Sequence, residues 1–384
     1  MDEFKDIRPY MDHEIRPVIE ALLKDREFIG SVARFYFPRL SKLAPPLMNT
    51  LVRQRLHIQL KNVNSVATVQ DVISFYMDKM IRDTTTSLSQ EGLSQLDHSK
   101  NYLFISNHRD IAMDPAFVNY FLYHEGLQTL QIAIGDNLLK KPFVNDLMRL
   151  NKSFIVRRSL RGRELLKSLD LLSRYIHYSV EHNQNVWIAQ REGRAKNGVD
   201  RTDPALLKML ARGHSELPLH ASLERLHIVP VAISYEYDAC DGLKAFELQQ
   251  MDSAGEFVKS DQSDIQSIVT GILGYKGKVH VTFGTELQPE SDDPEEIAAQ
   301  IDKQIHLNYR LHDTNFLALQ LLREQTDVEI PPLPEEALNF SVKEETRNSF
   351  LARMNRLDAP LRSYYLQMYA NPVISHYQGI AKAN

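Results

Sequence analysis

The sequence predicts an α/β protein: a largely parallel sheet flanked by helices, with N-terminal and C-terminal helical extensions. Three observations carry that expectation. Six short apolar, β-branched runs recur at 102–106, 129–134, 154–156, 186–189, 228–234 and 279–283. Helical patterns separate them, as around 115–122 and 162–182, and strand–helix alternation with continuously apolar strands marks a sheet covered on both faces. The two ends of the chain show helical periodicity without such runs.

Taken in order, residues 1–95 read as mainly helical. Ile15, Val18, Ile19, Leu22 and Leu23 recur at helical spacing, as do Val72, Ile73, Phe75, Tyr76, Met80 and Ile81, with Pro38, Pro45 and Pro46 as breaks between them. The piece from 28 to 56 mixes Phe35, Tyr36, Phe37, Leu40, Leu43, Leu47 and Met48 with Arg34, Arg39, Lys42 and Arg53. It is expected to be a helix hairpin packed on the main domain, the alternative being a segment lying on a bilayer surface. Residues 96–325 form the expected α/β domain. In its long helix Leu165, Leu166, Leu169, Leu172, Tyr175 and Ile176 make one stripe, and a further helical segment covers 294–322. The Pro-rich stretch 330–334 reads as a stiff linker within the third region, 326–384, which ends in a helical tail.

Composition narrows the class. The 384 residues are 43% hydrophobic and 25% charged, enough for a real core and unlike a disordered chain, a collagen or a coiled coil. With 45 Lys and Arg against 50 Asp and Glu, the net charge of −5 offers no global field for nucleic acid, so any anion site is local. A single cysteine, Cys240, excludes an intramolecular disulfide framework and multi-cysteine zinc or iron–sulfur sites. The opening Met1-Asp2-Glu3-Phe4-Lys5-Asp6 lacks a signal-peptide pattern, and no run of about 18 apolar residues predicts a membrane span. A globular protein of a reducing compartment is expected.

The sharpest chemical signal lies at 105–115. A strand ends, His108 follows, and Asp110 and Asp114 stand in a turn leading to Pro115. A histidine there is placed like a general base, with an Asp to fix its tautomer and stabilise the imidazolium. Six residues of regular helix turn through about 600°, so the pair works only if His108 lies in the turn and Asp114 opens the helix. An N-cap Asp followed by Pro at the first helical position explains the same residues without chemistry.

Three further constellations follow. Between 149 and 167 stand seven basic residues and one acid, Glu164; Arg157 and Arg158 fall at a strand's carboxyl end, where a guanidinium offers a bidentate clamp for a phosphate monoester. A solvated helix face accounts for Arg161, Arg163 and Lys167, and interleaved aromatics for nucleic acid are absent. At 186–198 an apolar strand runs into a turn holding Gly193, Arg194 and Gly198, in which the Gly193 amide could face an oxyanion; an ordinary charged turn is the plain reading. At 228–234, Pro230 implies an edge, a bulge or a strand's first residues. Gly213-His214-Ser215-Glu216-Leu217 falls one residue short of a nucleophile elbow, and there is no P-loop, dinucleotide fingerprint or His-Glu-x-x-His. The other histidines are scattered and default to core or surface positions.

Four blocks in this order resemble the glycerolipid acyltransferases, the family of glycerol-3-phosphate and lysophosphatidate acyltransferases with the signature Asn-His-x4-Asp. The resemblance covers about 96–285. Asn107-His108 is similar to the first block, Phe154-Ile155-Val156-Arg157 to the second, Gly193-Arg194 to the third and Val229-Pro230-Val231 to the fourth, with 279–284 like the closing strand. Five residues, not four, separate His108 from Asp114; either the turn holds one extra residue or Asp110 has taken the role. Asp114 is preferred, because Asp-Pro-Ala follows the block in family members. Arg191 stands where many members carry Glu.

The resemblance implies an O-acyltransferase with His108 and Asp114 catalytic and Asn107, Arg157, Arg158, Gly193 and Arg194 on the substrate. His108 would take a proton from an acceptor hydroxyl as it attacks a fatty acyl thioester. No metal and no cofactor is expected beyond acyl-CoA or acyl carrier protein as co-substrate. The acceptor would be a phosphorylated glycerol or lysolipid, with peripheral contact at the inner membrane face from the cytoplasm and no nucleic-acid partner. The rival expectations are a non-catalytic lipid- or acyl-carrier-binding relative and a thioester or ester hydrolase.

Overall fold

The structure is a computed structural model that describes residues 2–255, 257, 263–324 and 328–381. It has seven strands: β1 (Thr85–Glu91), β2 (Leu103–Ser106), β3 (Gln131–Gly135), β4 (Ser153–Val156), β5 (Val186–Ala189), β6 (Ile228–Tyr235) and β7 (Gly277–Phe283). The mixed α/β class and its mostly parallel strands are as expected. Six strands fall on the six apolar runs. The seventh, β1, was not expected, because Thr85-Thr86-Ser87-Leu88-Ser89-Gln90-Glu91 is a polar, half-exposed edge strand with no apolar run to announce it.

The chain forms two compact units, Met1–Tyr76 with Gln131–Tyr175 and Met77–Leu130 with Ile176–Asn384.

In the first unit β3 and β4 pair in parallel, and Ile7 extends the pairing by accepting from the Ile155 amide at 2.9 Å. The helices Asp12–Lys24, Arg26–Tyr36 and Pro45–Leu60 close on a core of Ile15, Ile19, Leu22, Leu23, Ile29, Met48 and Val52. Asp25 caps the second helix by accepting from the Phe28 amide at 2.8 Å. The expected hairpin at 28–56 buries Phe28, Ile29, Ala33, Met48 and Val52, yet its bend is not packed: Arg34 to Leu40 are exposed throughout, and Leu43 is 82% exposed. Phe75 and Tyr76 likewise face outward, while Val72 of the same stripe packs against this core.

In the second unit the strands run in the order β1-β7-β6-β2-β5. β2 is parallel to both β5 and β6, β1 is parallel to β7, and only the β6–β7 junction is antiparallel. β2 and β6 are buried along their whole length, as central strands covered on both faces should be. Pro230 lies among the first residues of β6, before the ladder with β7 begins at Val231↔Phe283, so its missing amide breaks no pairing there. The segment 294–322 forms two helices, Pro294–Asn308 and Asp313–Arg323. The Pro-rich stretch is no spacer: Ile330 and Leu333 pack on the same core as Leu317, Leu319, Phe350, Tyr365 and Tyr369, which joins the Glu344–Met354 and Arg362–Ala381 helices to the sheet-bearing unit.

Candidate active site

β2 delivers Ser106 and Asn107 into a turn that carries His108, Arg109 and Asp110, and the Met113–His124 helix begins with Asp114 in its first turn. His108 therefore lies in the turn and Asp114 opens the helix, the geometry that the six-residue spacing requires. His108 Nδ1 is 2.8 Å from Asp114 Oδ2. The carboxylate is an acceptor, so Nδ1 carries the hydrogen and Nε2 keeps its lone pair. Nε2 has no hydrogen-bond partner among the described residues, and the side chain is 13% exposed.

Asp114 is fully buried and held from four directions. Its Oδ2 also accepts from the Arg109 amide at 2.6 Å and the Asp110 amide at 2.9 Å, and its Oδ1 accepts from Tyr235 Oη at 2.6 Å. Burial and the neighbouring Asp114 and Asp110 push the Tyr235 phenol well above its ordinary range, so it stays a donor. The two aspartates divide the tasks that the sequence left together. Asp110 accepts from the amides of Ala112 and Met113 at 3.0 and 2.9 Å and so caps the helix, while Asp114 is given to the imidazole and the turn. Burial first, then the Asp114 charge, raises the Asp110 carboxyl. The Ser263–Leu273 helix presses Gly271 against Asp110; a Cβ there would stand 2.1 Å from its Oδ2, so the approach needs glycine.

The 191–198 turn is tied directly to this loop. The Ala195 amide donates to the His108 carbonyl at 2.8 Å, and Arg109 Nη2 reaches the Gly198 carbonyl at 3.1 Å and Asp200 Oδ2 at 2.6 Å. Gly198 adopts φ +81°, and a Cβ on it would meet the Met368 carbonyl at 2.2 Å. Trp187 of β5 sets its ring edge-on to His108, with centroids 5.8 Å apart, and anchors its indole N–H on Ser106 Oγ.

Several expected ligand residues are placed otherwise. Asn107 is fully buried; its amide donates to the Ile233 carbonyl at 3.0 Å and accepts from the Ile233 amide at 2.8 Å. It stitches β2 to β6. Arg194 is turned inward: its side chain is 4% exposed, 3.5 Å from Glu247 and 3.3 Å from Ser267 Oγ. Its Nη1 is buried without a hydrogen-bond partner among the described residues. Gly193 is exposed with φ +77° and open space around it. Arg157 and Arg158 belong to the other compact unit, just beyond β4. There the half-exposed Arg157 stands 3.6 Å from the exposed Asp6, and the Arg158 amide donates to Asp136 at 3.1 Å.

Sequence reasoning missed Tyr235, Asp200 and Trp187. A phenol at the carboxyl end of the fourth-block strand was the available signal for Tyr235. Asp200 and Trp187 carried none, because their roles depend on partners about ninety residues away.

Residues 87–234 match the family model described as Acyltransferase. A glycerol-3-phosphate acyltransferase of Pseudomonas fluorescens (strain Pf-5) is 24% identical over 225 residues, 58% of this chain and 25% of that protein. One from Xanthomonas campestris pv. campestris is 28% identical over 145 residues, covering 38% and 16%. The chain thus spans about a quarter or less of the curated relatives it matches. A solved 1-acyl-sn-glycerophosphate (LPA) acyltransferase, PlsC from Thermotoga maritima, aligns with a TM-score of 0.38 and 13% identity, over 73% of this chain and 95% of that one.

Proposed function

We propose that this chain, whose residues 87–234 match the Acyltransferase family model, is a glycerolipid acyltransferase that transfers a fatty acyl group from a thioester, acyl-CoA or acyl carrier protein, to a hydroxyl of a phosphate-bearing glycerol or lysolipid. The observation that carries the reading is the His108–Asp114 pair, with Nδ1 engaged at 2.8 Å and Nε2 open. In the reaction Nε2 accepts the acceptor's hydroxyl proton as that oxygen attacks the thioester carbonyl. The C–S bond then breaks, and the imidazolium returns the proton to the departing thiolate. The donor is already activated, so the step needs no protein nucleophile. Asp114 stabilises the imidazolium, and its three further hydrogen bonds keep the ring from turning.

Arg157, with Arg158 beside it, holds the acceptor's phosphate in this proposal and thereby sets the hydroxyl's position. The exposed bend at 34–47 is the site of peripheral contact with an anionic bilayer surface. It combines Phe35, Tyr36, Phe37, Leu40, Leu43 and Leu47 with Arg34, Arg39 and Lys42. Among the described residues no helix is long and apolar enough to cross a membrane.

The test is an acceptor panel assayed with a radiolabelled acyl thioester while free thiol is followed. Thiol release that requires glycerol-3-phosphate or a lysolipid, with label in the acceptor, supports the transferase. Free fatty acid without acceptor makes it a hydrolase, and no thiol release makes it a binding relative.

A further inference from the structure

Away from the His108 turn, the long helix Gly162–Glu181 ends in a cluster that the acyltransferase reading does not use. His177 and Glu181, four residues apart, share one helix face, and His214 arrives from the short Arg212–His214 turn. One ligand-type atom from each, nitrogen or carboxylate oxygen, lies within 4.8 Å of the others. The imidazoles meet at right angles with centroids 4.6 Å apart, and His214 Nε2 is 3.6 Å from Glu181 Oε1.

The outer nitrogens decide the reading. His177 Nε2 is 3.0 Å from the Leu210 carbonyl, which only accepts, so Nε2 bears the hydrogen and Nδ1 holds a lone pair. That Nδ1 is buried in a residue 3% exposed and has no hydrogen-bond partner among the described residues. His214 Nδ1 is 3.0 Å from the Glu216 carboxylate, which leaves the Nε2 lone pair on the Glu181 side. Two histidines that each have one ring nitrogen held by a carbonyl or a carboxylate have the outer support of metal-ligating imidazoles. Ion pairing of Glu181 with Arg225 at 2.6 Å engages Oε1, but it does not account for the stranded His177 Nδ1.

We propose that His177, Glu181 and His214 form a divalent-metal site of the two-imidazole, one-carboxylate type suited to Zn²⁺, with water completing the tetrahedron. The ion would tie the end of the long helix to the turn that follows the Pro204–Ala211 helix. It is a structural link, separate from acyl transfer.

The full chain, stripped with chelator, would be titrated with ZnCl₂ against a chromophoric zinc chelator, and with CoCl₂ while visible absorption is followed. The expected result is one zinc equivalent, cobalt bands of a tetrahedral site and a zinc-dependent rise in Tm. His214→Ala and Glu181→Gln should each weaken zinc at least tenfold and abolish the Tm rise. His220→Ala, which removes a surface histidine paired with Asp292, should change neither. Circular dichroism identifies any variant that has lost its fold, and the other variant then carries the test. Absence of a tight equivalent in the parent chain, or equal affinity in parent, His214→Ala and Glu181→Gln, overturns the site.

Discussion

The turn after β2 and the turn after β4 both stand at the carboxyl end of a short parallel strand, and both hold residues of an acyltransferase block. They are built in opposite ways. The β2 turn is over-determined: Asp114 takes four hydrogen bonds, Asp110 two more, and Arg109 and the His108 carbonyl bind the 191–198 turn to it. The β4 turn is held at its backbone by Asp136, while among the described residues the Arg157 guanidinium, partly exposed, pairs with a loose and exposed Asp6. An exposed ion pair of that kind contributes about 0–1 kcal/mol. A proton-transfer group needs one orientation, so its surroundings are rigid; a charge that captures a phosphate can stay hydrated and adjustable until the ligand arrives.

The comparison can be broken from its strongest side first. His108→Ala should lower kcat on the order of 10³-fold or more with the melting temperature nearly unchanged, read by thiol release and calorimetry; a near-normal rate would remove the base assignment. Asp114→Asn should follow closely, because an amide at that position must turn a donor toward one of four donors. On the β4 side, Arg157→Ala should raise the acceptor's KM roughly tenfold and leave the donor's alone. A change confined to the donor would contradict the phosphate role. Tyr235→Phe removes one donor from the buried Asp114 and should lower kcat about fivefold to thirtyfold, the size of one charge-assisted bond of about 1–2 kcal/mol.

The smallest effect separates the two aspartates. Asp110→Asn keeps an oxygen for the Ala112 and Met113 amides, so activity should stay within about threefold. Burial raises the Asp110 pKa, so between the ordinary carboxylate value and that raised value the folded chain binds more protons than the unfolded one, and stability falls as pH rises. The wild type should therefore lose stability relative to Asp110→Asn on going from acid to neutral pH, as urea midpoints at pH 4 and 7 would show. A constant difference would sink the argument.

Much of this was legible in the sequence because it was local. Central strands must be apolar on both faces, so β2 and β6 announced themselves, and the His108–Asp114 spacing allowed one geometry. What was hidden depends on contacts distant in sequence. The β1 edge strand is polar because one side meets solvent. Arg194 pairs with Glu247, fifty-three residues away, which no local pattern announces. Asp110 and Asp114 had the same chemistry and differ only in which amides face them. The apolar residues at 35–47 had the right pattern for a hairpin, yet pattern alone does not say which half of it is covered.

The brace behind Gly198 has a consequence for synthesis. The Met368 carbonyl closes on that glycine, and Asn371 Nδ2 donates to the Asn197 carbonyl at 2.7 Å, more than 170 positions further along the polypeptide. During translation β2, β5 and the 191–198 turn that follows β5 are all synthesised long before the Arg362–Ala381 helix has left the ribosome. The loop that steadies the histidine would settle only after that helix docks, so a ribosome stalled short of it would hold a folded sheet with an unfinished catalytic turn.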